Sequence, residues 1–386
     1  MSDQAILGKA TLKHPQLPPL ISYCVRGLHN CWLPLRGRWS HTYHLDGRAQ
    51  PNESVPASDV FYTLNVLLGL SQIRHLSREP GFNLRDIFNA NVTLVPRLKS
   101  RAYAYGMALW TAAALQVEIP PEPRDHIVRF INNRHNWRNF TAQDLGLVLV
   151  GCVAQAQLGS DCQGMRTAAN DLFALLLTRY SHPSGLFFDT AAGPRKLFSS
   201  FATNTYLTLA GYIFGEWSGD ERAILLSNAC AKKLIELQGP QGEWPWFFYT
   251  PAARVVDFYE VYSVHQHGMA PAFLEYAEKH GVRGATDALV KGFHWILGQN
   301  ELKTSMLWKR EGLICRSFAR TGELTRKRKR VVRSIANALV ARPGRLAGAE
   351  RVTLRLECRS YELGWILWSF GRRSDLSRLT HHPEFA

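Results

Sequence analysis

Apolar residues recur at helical spacing along almost the whole chain, and strand-like alternation is nearly absent. The spacing predicts helices over residues 17–28, 59–76, 84–95, 102–117, 125–132, 142–158, 165–180, 196–214 and 221–237. Further helices are predicted over 258–280, 285–298, 323–340 and 359–370. Start signals agree in several places: Ser58 precedes Asp59, Thr141 stands ahead of Gln143 and Asp144, and Gly219-Asp220 precedes Glu221.

The segments fall into a two-beat rhythm with a period of about 55 to 70 residues, the mark of a helical-hairpin repeat. One beat closes in an aromatic or apolar turn containing glycine: residues 184–189 (SGLFFD), 241–246 (QGEWPW) and 311–316 (EGLICR). The next beat is a helix with small residues among large ones, as at Tyr105-Gly106-Met107-Ala108, His267-Gly268-Met269-Ala270 and Leu363-Gly364-Trp365. Glycine inside a helix costs about 1 kcal/mol relative to alanine, so its recurrence there predicts closely approaching inner helices. The expected fold is all-α, an (α/α)6 toroid of about six hairpins, with residues 323–340 as an inserted basic helix. Residues 58–386 form the toroid, and residues 1–57 add an N-terminal helix and a long rim loop to the same domain.

Residues 231–248 (AKKLIELQGPQGEWPWFF) carry a helix end with Gln238, a Gly/Pro turn, then Gly242 and Trp244. This grammar resembles the QW repeat of squalene and terpenoid cyclases, in which Gln and Trp staple successive hairpins. The wider pattern resembles six-hairpin glycosidases, uronate lyases and glucuronyl epimerases. The phrases PNESVPASDVFYTLNVLLGLS, DFYEVYSVHQHGMAPAFLEYAEKHG and ECRSYELGWILWSFG look like an uncharacterised bacterial family associated with exopolysaccharide gene clusters. The toroid resemblance spans most of the chain, but the repeated motif is a packing device and implies no reaction. The chain has no DxDD or DDxxD, so cyclase chemistry lacks its proton donor and its magnesium site. No Walker loop, dinucleotide fingerprint, HExxH or GxSxG appears in its proper setting. Acid/base chemistry without a metal or cofactor is the expectation that remains.

Composition narrows the partners. Apolar residues make up 46% of the chain, which supports a large core, and no apolar run is long enough to span a bilayer. The first residues lack an export-signal pattern, so the expected compartment is the cytoplasm. The seven cysteines are odd in number and without CxxC spacing, which predicts buried free thiols, and Cys24 and Cys31 near His29, His41 and His44 match no zinc pattern. A net charge of +15, concentrated in residues 326–333, attracts an anionic glycan or lipid-linked sugar, or brings peripheral membrane contact through the basic helix. Nucleic acid is not expected, because no stacking aromatics interleave the basic run.

The cavity of such a toroid is lined by the first turns of the inner helices. On a continuous helix Asp257, Glu260 and His267 share one stripe while His265 points away from His267. Glu260 and His267 then either exchange protons with a substrate or satisfy buried polar groups. The last inner helix opens with Glu357, Arg359 and Tyr361 beside the first, which opens with Asp59. Arg359 either holds a substrate anion or pairs with Asp59 to close the ring, and Tyr262 or Tyr361 assists proton transfer. Arg316 and Asp46 approach from the rim. Trp39, Trp244 and Trp246 suit sugar stacking if exposed, and Trp244 otherwise serves as the staple. Three functions remain open: lyase, epimerase or hydrolase action on an acidic glycan, a terpenoid-cyclase-like reaction, and a non-catalytic glycan-binding or scaffold role.

Overall fold

The computed structural model describes residues 17–46, 50–51, 56–76, 81–98, 102–159, 163–321, 336 and 352–386. Its principal helices, in chain order, are α1 (Pro19–Cys31), α2 (Pro56–Gln72), α3 (Leu84–Val92), α4 (Ala102–Leu115), α5 (Pro121–Asn132) and α6 (Ala142–Ala156). They continue with α7 (Gln163–Arg179), α8 (Phe201–Ser218), α9 (Glu221–Leu237), α10 (Ala270–Lys279), α11 (Ala285–Ile296) and α12 (Ser360–Phe370).

Burial separates these helices into two kinds. In α6 every residue from Leu145 to Val153 is buried, and in α8 every residue from Thr203 to Tyr212 is buried. A helix apolar on all faces must be surrounded by protein. In α9 only Ala223, Ser227, Cys230, Ala231 and Leu234 are buried, a single stripe at helical spacing. The even-numbered helices form the inner ring: α2 packs on α4, α4 on α6, α6 on α8, α8 on α10, α10 on α12, and α12 closes back on α2. The odd-numbered helices lie outside. The fold is the (α/α)6 toroid that the spacing predicts.

Glycines set the close approaches inside the ring. A Cβ at Gly364 of α12 would lie 2.6 Å from Asn65 Oδ1 of α2, and one at Gly151 of α6 would lie 2.5 Å from the Gly106 carbonyl of α4. The three loop glycines do a second job. Gly185, Gly242 and Gly312 all have positive φ, and each presses on the next outer helix: on Ala229 of α9, on Lys291 of α11 and on Tyr23 of α1. Gln238 completes the middle staple by donating to the carbonyls of Gly242 and Ala288, both at 2.9 Å. Six cysteines, Cys24, Cys31, Cys152, Cys230, Cys315 and Cys358, are free and buried as expected, and Cys162 lies outside the described residues.

Two predicted helices begin later than their periodicity suggests. Residues 198–200 form a strand against Phe247–Tyr249, which also pairs with Arg254–Asp257. Val261–Tyr262 pairs with Ser317–Arg320, which pairs with Val352–Arg355. The expected helix 258–280 is therefore strand, then a π-helical turn at His265–Met269, then α10. β-branched Val255, Val256 and Val261 favour this extended form, and the partners that satisfy their backbone groups come from distant chain. A third small sheet joins Glu357–Cys358, Tyr43–His44 and Gln50–Pro51. The predicted basic helix 323–340 lies outside the described residues, apart from Ala336, between the paired strands Ser317–Arg320 and Val352–Arg355. Among the described residues no helix is long and apolar enough to cross a membrane.

Candidate functional site

All six inner helices start at the same end of the ring, and a cleft of about 420 Å³ opens there. Its walls take Ser58, Phe61 and Tyr62 from α2, Tyr103 from α4 and Gln143 from α6. Ala202 and Tyr206 come from α8, His265 and Met269 from the π-helical turn leading into α10, and Tyr361 from α12. Loops and strands add Asp189, Arg195, Ser200, Trp246, Phe247, Tyr262 and Arg316. Six helix N-termini converging on one mouth create a site that favours negative charge. The start of α12 has no side-chain cap.

Of the residues the sequence nominates, Tyr262, His265, Trp246, Arg316 and Tyr361 line this cleft. Arg316 is held from both sides: its N–H donates to the Glu357 carbonyl at 2.7 Å, and its carbonyl accepts from the Ser263 N–H at 2.8 Å. Its guanidinium lies 5.3 Å over the Tyr262 ring, with Nε 3.4 Å from Glu357 Oε1. Its Nη1 is buried without a hydrogen-bond partner. Tyr361 stacks on Tyr62 with centroids 4.4 Å apart, and burial pushes both phenols up.

The nominated carboxylates are arranged otherwise. Asp59 accepts from the His41 N–H and lies 3.0 Å from His41 Nδ1. Asp257 accepts from Arg320 Nη1 at 2.9 Å and from the Tyr259 N–H at 3.1 Å. Glu260 accepts from Arg355 at 2.8 and 3.2 Å, from Tyr262 Oη at 3.1 Å and from Ser317. Glu357 accepts from Arg359 Nη2 at 2.8 Å; burial pushes its carboxyl up, but Arg359 and Arg316 outweigh that and hold it below the usual range. None of the four lines the cleft. A buried carboxylate needs a cation or donors, and the rim strands supply them.

Glu260 and His267 do not form the expected pair. His267 is buried with both ring nitrogens unpartnered, and burial pushes it down to about 3, so it is neutral. The shared stripe required a continuous helix, and the strand and turn replace it. Arg359 reaches the His41 carbonyl at 3.5 Å and so meets Asp59 only through His41. Trp39 is fully buried, its indole N–H donating to the Leu28 carbonyl at 3.0 Å, and Trp244 is fully buried between Phe201 and Phe273. Both belong to the core rather than to the cleft. Asp46 lies half-buried beyond the Tyr43–His44 strand and does not line the cleft.

Two carboxyls escaped the sequence reading. Asp189 lines the cleft, accepting from the Ser200 N–H at 3.0 Å, Thr203 Oγ1 at 2.6 Å and Arg195 Nη2 at 3.1 Å. A signal for it exists in the repeat. Counting four residues on from each turn glycine gives Asp189, Trp246 and Arg316, and all three face the cleft. Counting two gives Phe187, Trp244 and Ile314, and all three are core. Glu362, next to Tyr361, is fully buried with neither oxygen hydrogen-bonded. Burial pushes its carboxyl up to about 8 despite the opposing Arg316 and Arg359. No sequence pattern marks it.

No family model matches the chain, and no curated protein matches its sequence. Solved structures do match over nearly the full length. A possible member of the GH105 family from Salmonella enterica serovar Paratyphi A is 13% identical, with TM-score 0.58, covering 96% of this chain and 95% of its own. An unsaturated glucuronyl hydrolase specific for heparin is 10% identical, with TM-score 0.61 and coverage of 94% and 98%. The unsaturated glucuronyl hydrolase from Bacillus sp. GL1, named as responsible for glycosaminoglycan degradation, is 10% identical, with TM-score 0.57 and coverage of 92% and 95%. At such identities the likeness establishes the architecture, and this chain shares the (α/α)6 toroid of those glycosidases.

Proposed function

We propose that the cleft takes the acidic end of a saccharide and that the chain acts on it by acid/base chemistry. The observation that carries this reading is Arg316 Nη1, a buried cationic donor with no partner at a cleft walled by aromatic rings. Leaving a charged donor unsatisfied costs more than about 1 to 3 kcal/mol, and a sugar carboxylate supplies the missing acceptor. The inner-helix N-termini favour the same charge. Trp246, Phe247, Tyr62 and Tyr361 offer faces for the sugar ring. Two of the structural neighbours are named as hydrolases of unsaturated glucuronyl groups, which are themselves carboxylate-bearing sugars.

Proton transfer falls to Tyr262, which lines the cleft and whose phenol donates to Glu260 at 3.1 Å. Glu260, fixed by Arg355, acts through Tyr262 as a positioning residue, and the buried Glu362, next in the chain to Tyr361, holds a proton. Arg359 and Glu357 keep Arg316 in place. An isoprenoid substrate fits less well, because Asp189, Arg195, Gln143 and Ser200 make the walls polar.

The test is a panel of uronate-terminated and neutral oligosaccharides, with products read by mass spectrometry to separate addition of water, elimination and isomerisation. Turnover confined to the uronate-terminated members, with KM raised at least about tenfold in Arg316→Ala, is expected. Equal turnover of neutral substrates, or an unchanged KM in that variant, would overturn the proposal.

A further inference from the structure

We propose that the opposite mouth of the ring binds a small organic cation of the alkylammonium class. A second cavity, of about 280 Å³, opens at the far end of the inner helices. It is lined from the last two turns of five of them: Trp110 of α4, Ala154 of α6, Trp217 and Glu216 of α8, Tyr276 of α10 and Trp368 of α12. The electrostatic logic is the reverse of the cleft's. Helix C-termini present carbonyl oxygens and the negative end of the dipole, and aromatic faces attract cations through their quadrupole.

The rings are arranged as walls rather than as a filled core. Trp110 and Trp368 meet edge to face with centroids 5.5 Å apart, forming a corner, and Trp368 is steadied from behind by Trp365 at 5.7 Å. Tyr276 is stacked on Tyr212 at 5.8 Å, which orients it. Trp217 already carries a cation, with the Arg166 guanidinium 5.2 Å from its ring. Glu216 adds a full negative charge, shared at present by Lys279 Nζ at 2.8 Å and His280 Nε2 at 2.9 Å on the same oxygen. An alkylammonium seated against the indole corner competes with Lys279 for that carboxylate. This site shares no lining residue with the cleft, so the inference stands apart from the function proposed there.

The experiment uses the full chain and choline as the probe, with its uncharged isostere 3,3-dimethyl-1-butanol as control, followed by indole fluorescence and calorimetry. Saturable choline binding at least about tenfold tighter than the alcohol is expected, because the shape is the same and only the charge differs. Trp368→Leu should weaken choline about fivefold or more. Lys279→Ala changes an exposed side chain, leaves folding undisturbed and should tighten choline by releasing Glu216. Absence of saturable choline binding, equal binding of the alcohol, or unchanged affinity in Lys279→Ala would each overturn the proposal.

Discussion

Replacing Glu362 with glutamine removes a titratable group that the fold holds in its neutral form while keeping the shape of the side chain. The carboxyl is fully buried, neither oxygen has a hydrogen-bond partner, and burial lifts its pKa from 4.5 to about 8. Between those two values the folded chain binds more protons here than the unfolded chain does. Stability contributed by this group is therefore present at low pH and is lost as pH rises, at about 1.4 kcal/mol per pH unit. Raising the pH from 5 to 7 should cost the parent about 2 to 3 kcal/mol through this group alone, and Glu362→Gln should escape that loss. Urea unfolding of both proteins at pH 5, 6 and 7 measures it: the midpoint of Glu362→Gln should gain on the parent steadily with pH. If the proton held by Glu362 serves the reaction, the same variant becomes more stable and less active, the trade expected of a functional group kept in an unfavourable place. Parallel midpoints across the pH range, or a variant less stable at pH 7, would refute the reasoning.

His267 gives the opposite pH dependence. Its pKa is depressed by burial from 6.5 to about 3, so the unfolded chain binds the extra proton and stability falls as pH drops below 6.5. Going from pH 7 to 5 should cost the parent about 2 kcal/mol through this position alone and His267→Gln nothing there, so the urea midpoint of His267→Gln should gain on the parent as pH falls. Gly242→Ala meets both a positive φ of 97° and the Lys291 carbonyl, and should lower stability by at least about 2 kcal/mol, read as a fall in Tm. Arg320→Ala removes a buried cation from the buried Asp257 carboxylate and should cost about 3 kcal/mol or more in chemical unfolding.

The ring itself was legible in the amino-acid order. Helices buried on all faces through their middles, such as α6 and α8, alternate with striped ones such as α9, and helix hydrogen bonds close within a few residues, so local pattern was enough to specify them. The turn glycines marked where hairpins abut, while Trp246 was nominated as an aromatic suited to sugar stacking and Arg316 as a cation on the rim loop, and both line the cleft. Ring closure decided the rest. The strand Val261–Tyr262 has its partner at Ser317–Phe318, over fifty positions away, so a helix-like pattern gave way to a sheet and the supposed Asp257, Glu260 and His267 stripe dissolved. The same closure brought Arg320 and Arg355 to those carboxylates, sealed Trp39 and Trp244 in the core, and left Glu362 without a donor. Which charges meet, and which are stranded, depends on contacts between distant segments, and no local pattern encodes a distance across the ring.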